Sequence, residues 1–246
     1  MADATGGTIT YSGGKTIHTF TSDDDFIVPV GSGGDVDILL VGAGAGGNGG
    51  VSGTNYGHGG AGGQITEVSS DAVVVGTLGV VVGAGSVGTL QAANVAGGNS
   101  TFNGNTATGG NAHSNSGSIG GANDDWAGGT RASGTDSGAG AGSSEAGQVS
   151  VGGCGTVSSI SGSAVTYGGG GGGIASIVGQ AGGVGGGGAG NAVGIGVAGT
   201  DGLGAGGGGG PASYGGGDGG SGIVIISYPT GMFDSSILSV MLGAMI

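Results

Sequence analysis

The chain is poor in most of what soluble proteins use for chemistry. Of 246 residues only two are Lys or Arg, against 15 Asp or Glu, which leaves a formal net charge of −13. Lys15 and Arg131 alone cannot neutralise a row of phosphates, so nucleic acid and anionic lipid surfaces are excluded as expected partners. A single cysteine, Cys154, permits no internal disulfide, and no Cys/His spacing suits zinc. Charged residues make up 7% and aromatics 4%, whereas an ordinary domain has about 25% charged residues. No apolar run approaches the roughly 18 residues of a membrane span, so no membrane insertion is expected. The opening MADATGGTIT has neither a basic nor an apolar signal region, so synthesis in a cytoplasm without a secretion signal is expected.

What is abundant is glycine, at 75 positions. Fixing each costs roughly 0.5–1 kcal/mol more than fixing alanine, a sum of tens of kcal/mol. A folded chain of this kind must offset that through backbone hydrogen bonds and close backbone packing. Collagen is excluded, because there are three prolines and an unbroken GGGGGG at 168–173.

Glycine is unevenly spread. TITYS, KTIHTFT, DFIVPV and DVDILLV read as successive strands, followed by a Gly-rich stretch over 42–63. QITEVSS and AVVVGTLGVVVGAG are again β-rich, with Asp71 expected at the turn between them. GGNSTFNGNTATGG holds one large side chain, Phe102; a polar variable region spans about 111–166, and the densest Gly block spans 167–222. GIVIISYP closes a domain expected over 1–229. Polyglycine in the polyproline II conformation keeps every N–H and has no Cβ, so such chains can stack side by side. Ile, Val and Ala among the glycines of 174–203 favour packing over a solvated linker. Val184, Val193, Ile195, Val197 and Leu203 would then face outward or meet a partner. Residues 230–246 form an apolar tail, where Ile237, Met241 and Met245, and Leu238, Leu242 and Ile246, recur at helical spacing behind Asp234 or Ser235.

The ordered series YSGGKTIHTFTSDDDFIVPV, VDILLVGAGAGG, GHGGAGGQITEV, VVVGAG, GGNSTFNGNTATGG and SGIVIISY resembles the glycine-rich domain of bacteriophage tail-fibre and adhesin proteins. That resemblance implies a small β-scaffold carrying loops and stacked polyglycine helices, in a virion component that is often trimeric and often at a host-contact tip. The expected fold class is therefore mostly β: a small β-sandwich-like scaffold with glycine-rich loops, stacked polyglycine II helices and a short C-terminal apolar helix.

Several motifs are decoys. Residues 42–47 fit G-x-G-x-x-G, but the segment after them is a poor helix, so no pyrophosphate site is expected. Gly13-Gly14-Lys15-Thr16 has Ile9 where a phosphate loop needs its first glycine. Residues 199–203 match one calcium β-roll repeat without a tandem copy, and Asp23-Asp24-Asp25 reads as a solvated turn. His18, His58 and His113 lack a nucleophile signature, and Cys154 reads as a small buried residue. No catalytic residue, metal or cofactor is expected.

Interaction surfaces favour Trp, Tyr and Arg. Asp124, Asp125, Trp126 and Arg131, with His113 and Tyr56, are the expected receptor contact at a distal surface; the bland alternative has Trp126 capping a small hydrophobic cluster. Tyr167 and Tyr214, each beside a Gly block, are further candidates. Phe233, Ile237, Leu238, Met241, Leu242 and Met245 are the expected oligomer or docking interface. Taken together, the expectation is a non-enzymatic virion fibre or spike used in host adsorption. It would be a homotrimer bound to other virion proteins and to a host surface glycan or outer-membrane protein. A head decoration protein without a receptor role, or an extracellular glycine-rich polymer, are the alternatives; ice binding would need a flat three-residue repeat that the chain lacks.

Overall fold

A computed structural model describes residues 3–50, 57–90, 95–112, 121–130 and 136–233. The first strands are β1 (Thr8–Ser12), β2 (Lys15–Phe20), β3 (Asp24–Val28), β4 (Gly34–Val41), β5 (Ile65–Val73) and β6 (Gly76–Val81). They are followed by β7 (Ser100–Phe102), β8 (Asn105–Ala107), β9 (Thr156–Ser158), β10 (Val165–Tyr167), β11 (Ile174–Ala175), β12 (Val178–Gly179) and β13 (Ile223–Pro229). The named strand pairs are antiparallel, and no helix occurs among the described residues. The expected C-terminal helix lies outside them.

A five-stranded sheet in the order β1-β2-β13-β4-β5 is completed by the last strand of the chain, which inserts between two of the first. The inserted strand reads IVIISYP because both its faces are covered. Val224, Ile226 and Tyr228 join Phe20, Ile38 and Leu40 on one face, where they meet Phe26, Val80, Phe102 and Ala107 of the four-stranded sheet β3-β6-β7-β8. Ile223 and Ile225 lie on the other face with Ile17, Leu39 and Val41, under Tyr167, Ile160 and Val165.

Two turns follow from local chemistry. Gly13 and Gly14, both at positive φ, join β1 to β2, and Asn103-Gly104, also at positive φ, joins β7 to β8. Asp71 is not a turn residue. It sits inside β5, just past a bulge at which Ser70 takes a φ of 57° and donates its N–H to Asp37. The bulge absorbs the irregularity that the sequence suggested was a reversal, and Asp71 accepts bonds from the Asn103 and Asn105 amides.

The glycine segments run away from the five-stranded sheet in a hydrogen-bonded bundle with a period of three. Along 42–50, the N–H groups of residues 42, 45 and 48 reach the carbonyls of 64, 61 and 58, and those of 44, 47 and 50 reach 220, 217 and 210. The remaining donors, at 43, 46 and 49, reach the Gly98 carbonyl, the Ser86 hydroxyl and the Thr89 carbonyl. One segment thus bonds to neighbours on three sides in rotation, as a chain with three residues per turn must. The rule repeats elsewhere: 57, 60 and 63 donate to 210, 207 and 204; 137, 140 and 143 donate to 174, 171 and 168; 206 and 209 donate to 169 and 172.

Such proximity leaves no room for side chains. A Cβ on Gly44 would lie 1.9 Å from the Ala205 oxygen, and one on Gly171 would lie 2.0 Å from the Gly207 oxygen. Most side chains buried inside the bundle are small, with Ala43, Ala45, Ala61, Ala139, Ala141 and Ala205 fully buried; Ile174 and His58 are larger side chains buried there as well. Val184, Val193, Ile195 and Val197 are exposed, as expected, whereas Leu203 turns inward against the sheet.

Candidate functional site

Segment direction defines the two ends of the bundle. Residues 42, 64, 83 and 222 adjoin strands of the sheets, so the sheet end is where they lie. At the opposite end, Gly50 and Gly57 both donate to the Gly210 carbonyl, and Gly49 donates to Thr89. The 211–215 turn, the 191–196 connection and the β11–β12 hairpin reach the same end, through the Asn191–Gly209, Gly196–Gly215 and Ser137–Ile174 bonds.

This far end carries large apolar side chains in solvent. Val193 is 83% exposed, Ile177 71% and Tyr214 54%, and Leu90, Val178 and Ile195 are also exposed. The Ile177 position is a turn, with Ser176 and Ile177 at positive φ and the Ser176 N–H bonded to Asp136. An exposed β-branched residue in the left-handed region has no packing reason to be there. Leu90, Ile177 and Val178 were not singled out by the sequence. Their signal is a large apolar residue at the end of a Gly segment, with no periodicity to carry it into a core.

The Trp126 cluster lies elsewhere. Asn123 builds the turn: its Oδ1 accepts the N–H groups of Asp125 and Trp126, and its Nδ2 donates to the Gly142 carbonyl. Asp124 accepts the Thr108 hydroxyl at 2.7 Å, and the Thr108 carbonyl accepts the Gln64 N–H. These bonds place Asp124, Asp125 and Trp126 on the flank at the sheet end, not among the far-end connections. Trp126 is 40% exposed and belongs to neither of the two apolar clusters of described residues. Arg131, His113 and Tyr56 lie outside the described residues. Tyr167 is buried under the sheet and unavailable for contact.

Other singled-out residues have structural partners. Phe233, expected at an intermolecular interface, is fully buried, its ring 4.6 Å from that of Tyr228 and 6.2 Å from that of Phe26. The aromatic core has room for one more ring, and the chain supplies it from immediately beyond β13. Ile237, Leu238, Met241, Leu242 and Met245 lie outside the described residues. Lys15 pairs with Asp37 at 2.7 Å, which holds the Asp37 carboxyl below its ordinary range. Asp23 accepts the Val82 N–H and Asp24 the Gly7 N–H, so two of the three aspartates are turn fasteners. Cys154 is partly exposed, not buried; a hydrogen bond to Glu145, with burial second, pushes its thiol pKa up and makes it a poor nucleophile. No group of three metal-ligating side chains converges among the described residues.

One buried polar chain stands apart. The His18 ring is fully buried; Nδ1 lies 2.7 Å from the Gly6 carbonyl, Nε2 lies 2.8 Å from the Tyr228 hydroxyl, and that hydroxyl is 3.2 Å from Asp3. Burial lowers the His18 pKa and raises that of Tyr228. His18 Nδ1 donates to the Gly6 carbonyl, and the Tyr228 hydroxyl, with its one proton, lies between His18 Nε2 and the Asp3 carboxylate. Phe20 and Phe26 pack on the imidazole, so its role is in the core.

Residues 19–229 match the family described as a glycine-rich domain, and the chain belongs to that family. No curated protein matches the chain.

Proposed function

We propose that the protein is a non-enzymatic virion structural component, a fibre, spike or tail-fibre part, that contacts the host through the far end of its glycine bundle. In this reading the two sheets form a small sandwich, and the glycine segments are polyglycine II helices that hold the connections at a fixed distance from it. The supporting observation is that Val193, Ile195, Ile177, Val178, Leu90 and Tyr214 stand exposed on the connections at the far end, although Tyr11, Val30 and Val74 are exposed beside the sheets as well. Exposed apolar side chains on a rigid support suit a contact face. The acidic chain, with two basic residues, leaves apolar and neutral polar contacts as the means of binding. Trp126, with Asp124 and Asp125, offers a second contact on the flank. The apolar tail is the proposed trimer or docking segment, and no catalytic step or cofactor is part of the proposal.

Adsorption competition tests it. Purified protein added to susceptible cells should reduce particle adsorption in a dose-dependent way, and V193D/I195D protein, with unchanged circular dichroism, should fail to compete. Equal competition by the variant would remove the far end from host contact, and no competition by either protein would favour a decoration role.

A further inference from the structure

We infer that the cleft beside Tyr214 is a subsite for a neutral saccharide; this rests on the adsorption reading and names its ligand class. The cleft has a volume of about 370 Å³, at the small end of ligand pockets, which run to roughly 300–1,000 Å³. That size suits a short oligomer end, not a folded partner. Residues 88–90, 195, 196, 198 and 214–218 line it.

Its floor is backbone, locked by the bundle itself. Gly196 donates to Gly215, Gly216 donates to Thr89, and the 211–215 turn is closed by the Tyr214 and Gly215 N–H groups on the Pro211 carbonyl. The site therefore exists before a ligand arrives, and little ordering cost remains. The walls are of two kinds. Tyr214, Leu90 and Ile195 are exposed and present one aromatic ring and two aliphatic surfaces. Asp218 is exposed at the rim, with Oδ1 fixed by the Gly88 N–H at 2.7 Å and Oδ2 left to accept.

A pyranose matches this pairing. Its C–H face lies on apolar or aromatic surface, while its hydroxyls donate to a fixed carboxylate, a charge-assisted bond. Among the described residues no Lys, Arg or His lines the cleft, so a phosphorylated or acidic sugar would meet Asp218 and a chain of net charge −13. A quaternary ammonium is a poorer match, because its recognition uses a cage of aromatic rings and the described lining of this cleft has one.

Saturation-transfer NMR on the full chain, with maltotetraose, lactose, mannobiose and N,N′-diacetylchitobiose as probes, tests the inference. The expected result is transfer to at least one sugar, strongest on the C–H protons of one ring face. Y214A should weaken that binding at least tenfold, Y214F should retain it, and D218N should weaken it several-fold. No transfer to any probe, unchanged binding in Y214A, or tetramethylammonium binding in place of the sugars would overturn the inference. Wild-type protein that blocks adsorption yet binds none of the sugars would overturn the saccharide subsite alone. Sugar binding lost in Y214A without any adsorption activity in the wild type would uphold the subsite and count against the adsorption reading.

Discussion

His18 shows how a chain with so few ionisable groups still acquires a pH dependence. Its folded-state pKa is lowered, chiefly by burial, so the unfolded chain binds the proton more readily. The sign follows: its contribution to stability is complete above the unfolded value of about 6.5 and is lost as pH falls toward the lowered folded value. Thermal unfolding should therefore shift to lower temperature between pH 7.5 and pH 5, and His18→Gln should remove most of that slope, as differential scanning calorimetry would show. The Asp37 contribution has its own window: with its pKa lowered by Lys15, it is lost only below the ordinary carboxylate range. His18 lay in plain view in KTIHTFT, yet its partner Tyr228 is 210 positions away. Phe233 was misplaced for a similar reason: its neighbours are apolar in sequence, and only the aromatic cluster of Phe26 and Tyr228 shows which interior it fills.

At the scale of elements, strands and glycine segments differ in how they declare themselves. IVII and ILLV are unbroken β-branched and aliphatic runs, and both lie in central strands buried on two faces. The single reversal that was misjudged, at Asp71, turned on a bulge that Ser70 makes with its backbone, which no side-chain pattern encodes. The glycine segments carry no alternation at all. That residues 42–50 sit between 58–64, residues 210, 217 and 220, and residues 86, 89 and 98 is fixed by distance between backbones, so the packing is legible as a principle and its partners are not. The physical demand is testable at single positions. Gly171 donates to Gly60, accepts from Gly140 and nearly touches Gly207, so three segments meet on it. Gly171→Ala should cost about 3 kcal/mol or more in urea denaturation, the upper part of the overpacking range. Gly79 is exposed in β6 with open space where its Cβ would be. Gly79→Ala should be neutral or stabilise by up to about 1 kcal/mol.

The whole molecule has two ends with different physics. One is a side-chain core of Phe20, Phe26, Phe102, Tyr228 and Phe233 between two sheets; the other is a backbone-bonded bundle with exposed Val193, Ile195, Ile177 and Tyr214 on its far-end connections. The composition argues for a side-chain-poor scaffold, whereas the far-end cleft is illegible in it because 88–90, 195, 196, 198 and 214–218 meet only once the bundle is built. The proposed role of the tail belongs to this scale. Deleting 234–246 should convert an oligomer to monomers in multi-angle light scattering, with an unchanged mass placing the contact elsewhere. The central claim is that the glycine segments are the packed framework and not linkers. Amide hydrogen exchange followed by NMR tests it most directly: the N–H groups of 42–50, 57–64, 168–173 and 204–210 should be protected to nearly the same degree as those of β13. Exchange of those amides within seconds, at the rate of an open chain, while β13 stays protected, would contradict it.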